Sequence, residues 1–96
     1  MQERTLLLFA KKYLWWLPPE EAVAKPERVL AAAMNLGSLE DYQALYRIFG
    51  AQTLASVLEM GVPGWFSAKS WSFWHRVLDL VPVSEAVPPP PQREFR

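Results

Sequence analysis

Proline and glycine punctuate this 96-residue chain so often that only short regular elements fit between them. The breaks fall at Pro18-Pro19, Pro26, Gly37, Gly50, the Gly61-Val62-Pro63-Gly64 run and Pro88-Pro89-Pro90-Pro91. Proline lacks the amide donor and fixes φ, and glycine is the usual residue beyond a helix end, so each break reads as a boundary. Between the breaks, apolar residues recur at three- and four-residue spacing, the period of an amphipathic helix. Leu6, Phe9, Ala10, Tyr13 and Leu14 form one stripe, which Pro18-Pro19 must stop. Pro26 suits the first turn of a second helix with Val29, Leu30, Ala33 and Met34 inward, and Gly37 is expected as its left-handed cap.

Ser38-Leu39-Glu40-Asp41 has the form of a capping box. It opens a helix with Leu39, Tyr42, Leu45, Tyr46 and Phe49 on one side, which Gly50 closes. A short helix from about Gln52 to Met60 carries Leu54, Val57 and Leu58. Ser67 then caps a last helix in which Trp71, Trp74, Leu78 and Val81 share a face that Phe73, Val77 and Leu80 widen. No segment alternates with period two between hairpin turns. The expectation is an all-α protein, a compact bundle of four or five short helices in a single domain over residues 1–81. A Pro-rich tail over 82–96 follows, extended or disordered.

Ten basic side chains balance ten acidic ones, which argues against a dedicated binder of nucleic acid or anionic membrane. The pair of helices around Gly50 resembles a helix-turn-helix, but the second, Ala51 to Glu59, holds no Lys or Arg. Residues 31–66 carry Arg47 alone against Glu40, Asp41 and Glu59. With no cysteine there is no disulfide framework and no thiolate metal site. No apolar run is long enough to span a bilayer, and the N-terminal residues make a poor signal peptide, so a soluble cytoplasmic protein is expected.

Catalytic chemistry is sparse. His75 is the only histidine, no Gly-x-Ser-x-Gly elbow is present, and the glycines are punctuation rather than a phosphate loop. His75 follows Trp71-Ser72-Phe73-Trp74 and is expected to pack on aromatics or bond a backbone carbonyl. Glu20-Glu21 and Glu40-Asp41 read as first-turn acids that suit the helix dipole. No cofactor, metal or catalytic residue is therefore expected.

What the chain has in surplus is rings. Residues 1–81 hold five Trp, four Phe and three Tyr, with Trp15-Trp16, Trp65-Phe66 and Phe73-Trp74 adjacent. Neighbours in sequence point in different directions, and each ring needs about 150–250 Å² of cover, so a small interior is not expected to hide them all. Trp, Tyr and Arg dominate interface energetics. The expected partner-binding set is Trp15, Trp16, Trp65, Phe66, Trp71, Trp74 and His75, with Arg93 and Phe95 at the tip of the tail. The partner is another protein or a second copy of this chain.

The residues that carry a family likeness are Pro26-Glu27-Arg28-Val29, Met34 to Asp41, Phe49-Gly50, Val57-Leu58 and Pro63-Gly64-Trp65-Phe66-Ser67-Ala68-Lys69-Ser70-Trp71-Ser72-Phe73-Trp74-His75. Together with the Arg-containing, Pro-rich end they resemble a family of small bacterial proteins of unknown function often encoded beside AbiEii-type nucleotidyltransferase toxins. The likeness covers roughly residues 13 to 80, and the W-x-F/Y-W-H stretch is its most specific part. Some members carry Trp-Asp near the start where this chain has Trp15-Trp16. The resemblance implies an antitoxin that neutralises a nucleotidyltransferase-type toxin by binding it.

Overall fold

The computed structural model describes residues 2–91. Among them are six helices and no strand: α1 (Gln2–Tyr13), α2 (Pro19–Val23), α3 (Pro26–Leu36), α4 (Leu39–Phe49), α5 (Ala51–Glu59) and α6 (Ala68–Val77). The expected all-α class is what the chain adopts, with one helix more than the sequence foretold. The addition is α2. Helix α1 ends at Tyr13, before Pro18-Pro19 is reached, and Pro19 sits in the first turn of a new helix, where its missing N–H costs nothing. The residues called to lie at the end of the tail, Arg93 and Phe95, fall outside the described range.

The molecule measures 40 × 38 × 19 Å, about two helix diameters thick. Helix α3 lies at its centre, and all five other helices pack on it. Val29, Leu30, Ala31, Ala33 and Met34 are buried on α3, so the small alanines let neighbouring backbones approach from two sides. Phe9, Ala10, Tyr13 and Leu14 cover it from the α1 side, Leu45 from α4, Leu54, Val57 and Leu58 from α5, and Trp71 and Trp74 from α6.

A helix leaves its last carbonyls without intrahelical partners, and the end of α3 lies against the start of α6. Each of three carbonyls finds a donor. Gly37 N–H donates to the Ala33 carbonyl at 2.9 Å, the Trp74 indole to that of Met34 at 2.9 Å, and the Ser70 hydroxyl to that of Asn35 at 3.1 Å. In return the Asn35 side-chain oxygen accepts from Ser67 N–H at 2.9 Å, just where α6 begins, while the Ser67 hydroxyl caps Ser70 N–H. The end of α3 and the start of α6 thus cap each other.

Gly37 is not the left-handed cap that the sequence pattern implied. Its φ of −70° and ψ of 162° are extended backbone open to any residue. The need for glycine is steric, since a Cβ there would strike the Ala33 carbonyl oxygen and crowd Asp41. Gly50 is the genuine positive-φ turn, at φ 85°, and it closes α4 and opens α5 in one residue. The capping box forms as its residues imply, with Ser38 and Asp41 satisfying each other's amides.

Beyond α6 the chain folds back. Arg76 donates to the carbonyls of Pro82 at 2.9 Å and Glu85 at 2.6 Å, and the Trp71 indole donates to Pro88 at 2.9 Å. A proline-rich segment offers carbonyls but few N–H groups, so side-chain donors on α6 are its natural partners.

The α3–α6 cap has a measurable consequence. Replacing Trp74 by Phe leaves the Met34 carbonyl without its donor and opens a void, which is expected to cost about 2–4 kcal/mol in urea unfolding. A loss under about 0.5 kcal/mol would mean that this carbonyl does not depend on the indole.

Candidate docking surface

The aromatic residues divide sharply between inside and outside. Trp74 is 1 % exposed, and Phe66, Trp71 and His75 are buried as well. Their placement removes these four from the free surface, correcting the expectation that they face a partner. Two circumstances account for it. Trp71 and Trp74 share the inward face of α6 because three residues make most of a helical turn. The indole donors then find carbonyls, which lets large amphipathic rings sit deep without an unpaired N–H.

His75 is occupied in the same interior. Its Nδ1 lies 2.7 Å from the Trp71 carbonyl oxygen, and its ring packs on the Trp71 indole, tilted by 50° with centroids 4.3 Å apart. A carbonyl can only accept, so Nδ1 carries the proton. The imidazole thus makes both of the structural contacts anticipated for it. Among the described residues, no group of three or more His, Asp or Glu side chains is placed to hold a metal ion. With these rings inside, the largest exposed aromatic side chains mark an apolar surface elsewhere on the molecule.

Trp15 and Trp16 form its centre, at 74 % and 53 % exposed. Their position follows from the turn that carries them. Leu14 is buried and Leu17 half-buried, and Leu17 N–H donates to the Leu14 carbonyl at 3.0 Å, so both ends of the turn are pinned and its two middle residues are forced outward. The two indoles meet edge to face, centroids 5.8 Å apart at 86°, an arrangement that holds them without a pocket. Beside them lies a notch of about 150 Å³ between Trp16, Leu36 and Trp65, with Tyr13 and Arg28 also on its wall. Leu36 is exposed and Trp65 half-buried. Of the expected set, then, Trp15, Trp16 and in part Trp65 are brought together at the surface. Leu36 and Arg28 were missed, since nothing in a helical stripe marks its last apolar residue as outward.

A charged anchor fixes the α1 end of this surface. The Asp41 carboxylate accepts from the Tyr13 hydroxyl and from Lys12 Nζ at 2.9 Å while also serving the capping box of α4. Lys12 in addition lies 5.1 Å from the centre of the Tyr13 ring. Burial works to raise the Asp41 pKa, but the hydrogen bonds from Tyr13, Lys12 and the Ser38 amide outweigh it and hold the carboxyl below its ordinary value. The bond to Asp41 holds the Lys12 ammonium above its usual pKa, and burial, followed by the same carboxylate, raises that of Tyr13.

A second apolar surface lies between α4 and α6. Leu39, Tyr46, Phe73 and Val77 are exposed there over a floor of Tyr42 and Trp74, enclosing about 310 Å³. Tyr42 packs on Phe73 and Trp74 with centroids 5.3 and 5.0 Å away. The sequence pattern set Leu39 and Tyr46 on the same side as Leu45, but only Leu45 reaches the core. The stripe on α4 is wider than the face that α3 can cover.

Comparison with protein-family models, with curated proteins and with solved structures finds no match to this chain. No helix among the described residues is long and apolar enough to cross a membrane.

Two outcomes follow from this geometry. Iodide should quench the emission of Trp15 and Trp16 preferentially, so a Trp15→Phe/Trp16→Phe variant is expected to lose most quenchable, red-shifted fluorescence while keeping a blue-shifted remainder. Equal quenching before and after would contradict the placement. The lowered Asp41 pKa means a stability contribution that is complete above the carboxyl's unfolded value near 4 and lost as pH falls through the folded value. The raised Lys12 and Tyr13 values act oppositely, their contribution being present below about 10 and lost as pH rises through the folded values. Asp41→Asn is therefore expected to lower stability by about 1 kcal/mol at pH 7, a gap that closes toward pH 2 in thermal melts. A gap independent of pH would sink the assignment.

Proposed function

We propose that this protein is a docking module that acts by binding another protein rather than by catalysis. The observation that carries the reading is the outward Trp15–Trp16 pair, two large rings held by their turn and not by a core. Indoles beside an arginine-edged notch match the composition of interface anchors, and rings held before binding lose little freedom on docking. The resemblance over residues 13 to 80 supplies the partner, a nucleotidyltransferase-type toxin that the protein neutralises by direct contact, in the manner of an antitoxin. Nucleic acid is a poorer candidate, because α5 presents no Lys or Arg to a phosphate backbone.

The test is co-expression with the product of the neighbouring gene, followed by size-exclusion chromatography. The expected result is a single complex, and Trp15→Ala/Trp16→Ala should weaken it at least tenfold without loss of helical circular dichroism. Two separate peaks at micromolar concentration would overturn the reading.

A further inference from the structure

The groove between α4 and α6 shares no lining residue with the notch beside Trp16, and its chemistry differs. Its walls are almost wholly apolar, from Leu39 and Tyr46 on one side to Phe73 and Val77 on the other. Along the flank of α4 that borders it run Glu40, Gln43 and Arg47. Glu40 and Arg47 are seven residues apart, two turns and about 10.5 Å along the axis, so they fall nearly on one line of the helix. Both are exposed, and the ion pair found among the described residues, Lys12–Asp41, involves neither.

A flank with an acid at one end, a base at the other and a glutamine between is complementary to itself when reversed. A partner surface of a single charge would satisfy one end and repel the other. An antiparallel second α4 satisfies both. Each Glu40 then meets the Arg47 of the other copy, the two Gln43 side chains lie close to the two-fold axis, and the apolar walls close over each other. The result closes the open apolar groove of each copy against the other.

We propose that the α4–α6 face is a homodimer interface, with a second copy of the chain as its occupant. The face is about 16 Å long and two helices wide, roughly 300 Å² per copy and below the size of standard specific interfaces, so the dimer is expected to be weak and to form toward the upper end of the micromolar range. This inference is independent of the toxin-docking reading, because it uses other residues.

Sedimentation equilibrium of the full chain from 1 to several hundred micromolar tests it, each variant being checked for helical content by circular dichroism. The wild type is expected to pass from monomer to dimer across that range. Glu40→Arg alone or Arg47→Glu alone places like charges at both ends of the interface and should weaken the dimer about fivefold to tenfold. The double variant Glu40→Arg/Arg47→Glu exchanges the charges and should recover wild-type association, which a merely destabilised helix would not do. A wild-type monomer throughout the range overturns the proposal, and so does a dimer indifferent to the single reversals or unrescued by the double one.

Discussion

The mutual capping of α3 and α6 is the contact on which the rest of the molecule depends. Helix α3 touches every other helix, and although Leu36 at its end faces solvent, the carbonyls just before it meet donors within the protein. The Trp74 indole, the Ser70 hydroxyl and the Gly37 amide supply them, while Asn35 returns a bond to the first turn of α6. Removing the Trp74 indole leaves the buried Met34 carbonyl unsatisfied, a larger penalty than the net value of the bond itself. That bond set also decides where the aromatic rings go. Once Trp74 is committed to Met34 and Trp71 to Pro88, the apolar face of α6 has only one orientation left.

From that orientation the two apolar surfaces follow. With α6 turned to bury Trp71 and Trp74, Phe73 and Val77 must look outward, and they do so beside Leu39 and Tyr46 of α4. At the other end of the molecule, the turn from Leu14 to Leu17 is held by its own buried ends and by the Asp41 anchor on Tyr13, which leaves Trp15 and Trp16 to solvent. Both surfaces have the apolar body and charged margin that protein partners use.

A protein two helices thick has little choice in this. Each helix can turn one face to α3, and any apolar stripe broader than that face remains outside. Here the stripes of α4 and α6 are both broader. An exposed apolar face of that kind is a liability for a monomer and an asset for a protein that works by association.

Much of the fold is legible in the order of residues alone. The capping box at Ser38, the Ser67 cap, the helix-opening role of Pro26 and the inward stripes of α3 and α5 depend on side chains a few positions apart, and local geometry determines them. The conclusion that the rings outnumber the places to hide them was also available without coordinates, because it depends only on ring size and chain length. Which rings stay out was not. Phe66, Trp71, Trp74 and His75 go inward, and Leu39 and Tyr46 outward, because donors and carbonyls distant in sequence meet only after α3 and α6 have packed. Gly37 makes the same point on a small scale: its identity is written in the chain, but the reason for it is a carbonyl oxygen that comes close only in the folded helix. Periodicity states that a helix has an apolar side, and only the packed neighbours decide how much of that side is covered.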